Sequence, residues 1–132
     1  MPYSQSIKLK QPFAVACNKT REALMQEGFG IVSVLDIQSI LKEKLGKNMP
    51  AYQIFGACNP VLASRAIEAE PNIGLLLPCN VLIRETGPNE VEISFQDVAT
   101  MLKIVGSEAI NEIGNEAARK LYNAMKNLET NG

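Results

Sequence analysis

The cysteines are the residues of this 132-residue sequence with the most varied chemistry. Cys58 is followed by Asn59, a favoured helix N-cap, and by Pro60, which suits the first position of a helix. Free N–H groups and the helix dipole stabilise a thiolate at such a position. Cys58 is therefore a candidate nucleophile or ligand contact. The alternative is a small apolar residue buried at a tight turn between a strand and a helix.

Cys79 lies between Pro78 and Asn80, where the pattern predicts an interrupted strand. Proline cannot donate to a strand ladder, and such interruptions often direct groups toward a cleft. Twenty-one residues, about one helix and one strand, separate Cys79 from Cys58, so the two thiols can face one pocket. Burial in the core is the alternative for Cys79.

Arg65 lies in the helix that is predicted to follow Cys58, where it can bind an anion near the helix N-terminus. The alternative is an ordinary exposed arginine. We interpret Cys17, inside the first predicted helix, as a core or partly exposed residue without a functional role. No catalytic residue is assigned, and the candidate ligand-binding set is Cys58, Asn59, Pro60, Arg65, Pro78, Cys79 and Asn80.

The sequence contains no histidine, and this excludes Ser-His and Cys-His nucleophile pairs and nearly all catalytic zinc sites. Cys58 and Cys79 supply only two soft ligands and do not form a Cys-x-x-Cys motif. We therefore expect no metal and no cofactor. A nucleophilic Cys58 would depend on the helix N-terminus, on Asn59 and on Arg65 for its activation.

Composition predicts one domain over residues 1–132, because 46% of the residues are apolar and the length is typical of a single core. The net charge of −1 argues against binding to nucleic acid or to anionic membranes. The longest apolar run, 73–83, is far shorter than the about 20 residues of a spanning helix. Without a secretory pattern at the N-terminus, a cytoplasmic location is expected.

Periodicity and turn residues predict the first half of the chain as alternating strands and helices. In the first helix, Val15, Ala16, Leu24 and Met25 form a ragged apolar stripe. The predicted elements are a strand at 7–9, a helix at 13–27, a strand at 31–35, a helix at 37–45 capped by Asp36 and closed by Gly46, a strand at 52–55, and a helix at 60–69.

In the second half, the nearly all-apolar run Ile73–Leu77 predicts a short strand buried on both faces. It resumes at Val81–Ile83, and a turn at 87–89 leads to an alternating strand at 91–95. A short helical piece at 98–105, capped by Asp97, and then Gly106 precede a long amphipathic helix. The apolar stripe of that helix consists of Ile110, Ile113, Ala117, Leu121, Ala124 and Leu128.

These elements predict an α+β domain. The hairpin joining Arg84 to Glu90 implies antiparallel pairing, and the helices must then cover one face of the sheet. The other face is only partly polar, so that a partner, such as a second copy, could cover it.

Three segments resemble the family called domain of unknown function 302: 28–46, Tyr52–Pro60 with Cys58-Asn59-Pro60, and Gly74–Val81 with Leu77-Pro78-Cys79-Asn80. The resemblance covers about residues 6–126. It implies a TATA-binding-protein-like fold, a curved antiparallel sheet with helices packed on one face, and it implies a homodimer. It carries no catalytic assignment. The positions that match its motifs are Cys58, Asn59, Pro60, Pro78, Cys79 and Asn80.

Three functional hypotheses follow. The first is a cytosolic, homodimeric module that binds a small ligand or a partner, with a pocket near Cys58 and Cys79. The second is a thiol-based enzyme or redox sensor, in which Cys58 is the nucleophile and Cys79 a resolving or orienting thiol. The third is a purely structural oligomerisation domain. No reaction is evident from the sequence alone.

Overall fold

A computed structural model describes residues 3–131, with side chains for residues 3–130. Five strands and five α-helices form this part of the chain. The strands are β1 (Ser4–Leu9), β2 (Gly30–Asp36), β3 (Tyr52–Cys58), β4 (Cys79–Gly87) and β5 (Glu90–Gln96). The helices are α1 (Phe13–Gln26), α2 (Ile37–Leu45), α3 (Pro60–Ala69), α4 (Val98–Leu102) and α5 (Glu108–Asn131), with 3₁₀ turns at Pro71–Leu76 and Lys103–Val105.

The strands form one open sheet in the order β1-β5-β4-β3-β2, and all neighbouring strands are antiparallel. The predicted α+β class, the antiparallel sheet and the long C-terminal helix are confirmed. One face of the sheet packs against helices, and its central row pairs Phe95 with Val81 and Val81 with Phe55, all buried. Buried and partly exposed residues alternate along β4 and β5, since successive side chains of a strand point to opposite sides of the sheet. The buried residues of both strands therefore form this face.

The opposite face, called here the open face, carries a mixed set of side chains. The hydroxyl groups of Ser6 and Ser94 are 2.7 Å apart, and Arg84 donates to the Glu92 carboxylate at 3.1 Å. Leu82, which pairs with Ser94 in the register, lies half-buried on the same face. The open face is therefore partly polar, as the sequence predicted.

Aspartate and asparagine caps start three helices where the sequence placed them. The side chains of Asp36, Asn59 and Asp97 each accept a hydrogen bond from the backbone N–H three residues later, at 3.0, 3.2 and 3.2 Å. Such caps satisfy N–H groups that have no partner within the helix. The predicted stripe of α5 is also confirmed, because its six apolar residues are buried against the sheet and the other helices.

The predicted strand at Ile73–Leu77 is wrong. This run forms most of the 3₁₀ turn Pro71–Leu76, which buries Ile73 and leaves Leu75 87% exposed. The Glu70 carboxylate caps the turn by accepting the Asn72 N–H at 3.4 Å. A short apolar run can form either a buried strand or a turn that buries only one of its side chains. Composition alone does not distinguish these two structures. The Leu77–Pro78 peptide is cis, and β4 begins directly after it at Cys79.

The predicted stripe of α1 is also partly wrong. Ala16 and Leu24 are buried, but Val15 and Met25 are exposed. The buried face of the helix includes Thr20, which is accommodated because its hydroxyl donates to the Ala16 carbonyl at 2.7 Å. Thr20, whose hydroxyl is hydrogen-bonded, is thus buried in the core, whereas the apolar pattern predicted larger apolar side chains on this face of the helix. Over residues 3–131, no helix is long and apolar enough to cross a membrane.

Candidate functional site

A cavity of about 120 Å³ lies where the ends of β3 and β4 meet helices α3, α4 and α5. Its lining is apolar apart from two thiols and one amide side chain, and it contains no charged residue. Leu62 and Ala66 of α3, Leu102 of α4 and Ile113 of α5 form much of its helical side. Cys58 and Cys79 both line it.

Strand pairing brings the two cysteines to the same end of the sheet. Ala57 pairs with Cys79 in the β3–β4 register, and Cys58 is the next and last residue of β3. Cys79 is the first residue of β4 and is buried, whereas Cys58 is half-buried. The backbone irregularity at Cys79 is thus the start of a strand after a turn, and not a break within a strand.

Burial raises the pKa of the Cys79 thiol to about 11, and the neighbouring Cys58 adds to this effect through charge repulsion. Cys79 is therefore a protonated thiol at neutral pH, which makes it a polarisable apolar contact and not a nucleophile.

Asn59 lines the cavity, but its side chain already has two structural partners. Its carbonyl oxygen caps α3 at Leu62, and its NH₂ group donates to the Glu27 carbonyl at 3.4 Å. This links the start of α3 to the end of α1. Gly28 makes the link possible, because it has a φ of +84° and an added Cβ would lie 3.0 Å from the Asn59 amide nitrogen.

The other sequence candidates are placed differently. Arg65 points away to α5, where it forms an exposed ion pair with Glu116 at 3.1 Å. The Asn80 N–H donates to Gln96 Oε1 at 2.8 Å, and Asn80 itself is exposed. Pro60 is the exposed first residue of α3. Of the seven candidates, the cavity brings together four: Cys58, Asn59, Pro78 and Cys79.

Gly56 contributes to the site in a way that the sequence did not reveal. A Cβ at this position would collide with the Ser33 hydroxyl and would lie 2.8 Å from Pro78 Cγ. Only a glycine therefore lets Pro78 and Ser33 approach β3 beside the cavity. The signal in the sequence was a glycine directly after the predicted strand at 52–55, two residues before Cys58.

Several other lining residues have no local signal at all. Val32 lines the cavity from a bulge in β2, where the register with β3 shifts between Ile31 and Ser33. Leu102 and Ile113 follow Cys79 by 23 and 34 residues in the sequence. Within residues 3–131, no three His, Cys, Asp or Glu side chains are placed to hold a metal ion. Cys17 is buried on α1 and does not line the cavity.

The family model for "Domain of unknown function DUF302" matches residues 5–128. The chain belongs to the DUF302 family. A crystal structure of an uncharacterized conserved DUF302 protein from Bacillus stearothermophilus is similar, with a TM-score of 0.86 and 20% sequence identity. The match covers 96% of this chain and 98% of the Bacillus protein, and at this identity it shows a shared fold. A search of curated proteins found no match.

Proposed function

We propose that this DUF302 domain binds a small apolar molecule in the cavity between α3 and the ends of β3 and β4. The observation that carries the proposal is that Cys58 and Cys79 line one uncharged cavity whose other contacts are almost all aliphatic or aromatic. Ligand sites are typically apolar with few polar groups, and the two thiols and the Asn59 amide fit that description.

The volume and the lining of the cavity favour a compact, uncharged ligand. A cavity of about 120 Å³ is close to the about 150 Å³ of an engineered apolar cavity that binds benzene. A charged ligand would lose its hydration without gaining a partner, since no charged side chain lines the cavity. Thiol sulfur is polarisable and packs well against aromatic rings. We therefore propose a compact, uncharged ligand of about the size of an aromatic ring.

Benzene is the probe that tests this proposal. In carbon–proton NMR spectra of the wild type, we expect millimolar benzene to shift the methyl signals of Ala57, Ala66 and Ile113. Ala63 lines the cavity from α3 and is half-buried, so Ala63→Leu fills part of the space. It is expected to weaken benzene binding at least tenfold. The matched control, Ala14→Leu on the exposed side of α1, is expected to bind as the wild type does.

Three outcomes contradict the proposal. The first is a wild type whose methyl signals do not respond to benzene or to the slightly larger toluene. The second is a response confined to methyl groups outside the cavity, and the third is a response that Ala63→Leu leaves unchanged. The mapping on the wild type stands by itself, so that it remains decisive if Ala63→Leu does not fold.

A second candidate function, thiol chemistry at Cys58, is favoured by the difference between the two cysteines. Cys58 is half-buried directly before the N-cap of α3, whereas Cys79 is buried with a pKa near 11. Cys58 directly precedes the N-cap of α3, whereas Arg65 is paired with Glu116 of α5 in this structure.

Alkylation rates test this candidate. With iodoacetamide at pH 7, an activated Cys58 is expected to react at least tenfold faster than free cysteine, and Cys79 much more slowly. The site of modification is read by peptide mass spectrometry, with Cys58→Ser as the control. A Cys58 that reacts no faster than free cysteine contradicts thiol chemistry and leaves the binding proposal untouched.

A further inference from the structure

The residues that line the cavity differ widely in their exposure to water. Phe29, Ala57 and Ile113 are buried, whereas Val32 is 65% exposed. Cys58 and Pro78 are half-buried, between these extremes. A residue that lines a cavity and is also exposed marks the position of its opening. The cavity therefore has a closed end among the buried residues and an opening beside Val32.

A bulge in β2 places Val32 at this opening. In the register with β3, Ile31 pairs with Ala57 and Ser33 pairs with Gly56, so Val32 is the residue that the pairing skips. Such a residue leaves the regular ladder, and a bulge changes the direction of its side chain. Val32 therefore lines the cavity together with Ala57, although regular alternation would place it on the face opposite to Ile31.

The polar side chains of the lining are distributed unevenly along the cavity. Cys58 and Asn59 are half-buried, and Cys58 pairs with Gly30, two residues before Val32. Among the described residues that line the closed end, the thiol of Cys79 is the only polar side chain. A hydroxyl or a charged group placed there would lose its hydration without gaining a strong partner. A polar group of the ligand is therefore stable only at the opening.

The volume of the cavity leaves no space for a polar chain beside an aromatic ring. The cavity measures about 120 Å³, and an apolar cavity of about 150 Å³ is known to bind benzene. A ring therefore fills the space, and any chain attached to it extends through the opening. There the end of the chain keeps its contact with water.

We propose that the ligand is a compact ring with one short chain that ends in an uncharged polar group such as a hydroxyl, and that this chain leaves the cavity between Val32 and Cys58. The inference rests on the proposed function, and it adds the orientation of the ligand and the residues that its chain passes. Val32 is the most exposed residue of the lining. A substitution there is therefore expected to change which chain ends the protein accepts.

A paramagnetic chain end tests the orientation of the ligand. The probe is phenylpropanol with a nitroxide attached to the end of its chain. Methyl signals of the wild type are recorded with this probe, before and after ascorbate reduces the nitroxide. The nitroxide is expected to broaden the signals of Val32 more strongly than those of Ala66 and Ile113, which line the closed end. Equal broadening, or stronger broadening at Ile113, overturns the inference.

A charge at the opening tests the role of Val32. Phenylpropylamine and phenylpropionate share the ring and the chain of phenylpropanol but end in opposite charges. At low salt, Val32→Glu is expected to shift the ratio of their dissociation constants about fivefold in favour of the amine. The matched control is Leu35→Glu, which places the same charge on β2 at an exposed residue outside the cavity lining. It is expected to leave the ratio nearly unchanged.

The outcomes separate this inference from the proposed function. If benzene shifts the methyl signals of the cavity but phenylpropanol or its charged analogues do not bind, the inference fails and the proposed function stands. A ratio that Val32→Glu changes no more than Leu35→Glu does also overturns the inference alone. If neither benzene nor the chain-bearing ligands bind, both proposals fail. The nitroxide experiment uses the wild type, so it remains decisive if Val32→Glu does not fold.

Discussion

The cavity at the ends of β3 and β4 and the edge formed by β2 and α2 are both rich in apolar residues, yet only the first is covered. Helices α3, α4 and α5 line one side of the cavity, and the core residues beneath the central strands are fully buried. On β2, Val34 remains 41% exposed, although it pairs with the fully buried Phe55 of β3. Apolar sequence therefore predicts burial only where another element is present to provide it.

The sharpest test of this contrast compares Phe55→Ala with Val34→Ala, because the two residues are cross-strand partners. Phe55 is fully buried, with the Arg21 guanidinium 4.5 Å from its ring centre. We expect its truncation to cost about 3–5 kcal/mol of unfolding free energy. Urea denaturation should show a loss of unfolding free energy below about 1 kcal/mol for Val34→Ala. Equal losses would show that β2 is as well covered as β3.

The pH dependence of stability tests whether the Cys79 thiol, which lines the cavity, is buried in the folded protein. The folded-state pKa of Cys79 is raised from 9.0 to about 11, so the folded state holds this proton more tightly than the unfolded state. The resulting stabilisation is complete below pH 9 and is lost as the pH rises through 11. We expect it to reach about 2 kcal/mol.

Cys79→Ala provides the comparison for that measurement. Unfolding free energies of the wild type and of the variant, measured between pH 8 and 11, should converge as the pH rises. A constant difference across this range would mean that Cys79 is open to solvent, contrary to its burial.

Two glycines on neighbouring strands test how closely the chain packs beside the cavity. At Gly56 an added Cβ collides with Ser33 and Pro78, whereas at Gly30 it would meet no atom within 4 Å. Gly56→Ala is expected to cost about 1–3 kcal/mol. Gly30→Ala, its matched control on the exposed edge strand, should change stability by less than about 0.5 kcal/mol. Thermal or urea unfolding of both variants measures the difference.

The smallest effect is expected at Arg65. Its ion pair with Glu116 is exposed, and such pairs contribute about 0–1 kcal/mol. Arg65→Ala should therefore leave both stability and benzene binding nearly unchanged. A large loss of benzene affinity in Arg65→Ala would indicate that Arg65 contributes to the binding site. Arg65 would then have to separate from Glu116 when the ligand binds.

Much of the fold follows from local patterns, and the errors have a common origin. The sequence predicted the strands at 7–9, 31–35, 52–55 and 91–95, together with their neighbouring helices, because periodicity and capping depend on nearby residues. The prediction of a strand at Ile73–Leu77 was wrong, because a short apolar run can bury a residue such as Ile73 either in a strand or in a turn. Val15 and Met25 were misassigned since only a packed neighbour decides which side of a ragged stripe faces inward.

The sequence by itself determined the caps at Asp36, Asn59 and Asp97, the apolar stripe of α5, and the absence of histidine-based chemistry. These depend on residue types and on contacts within about one helical turn. Only the tertiary structure decided that Cys58 and Cys79 share a cavity with Leu102 and Ile113, that Arg65 pairs with Glu116, and that Val34 and Leu35 of β2 remain exposed. Those outcomes depend on which distant segments pack together, and no local pattern in the chain encodes that choice.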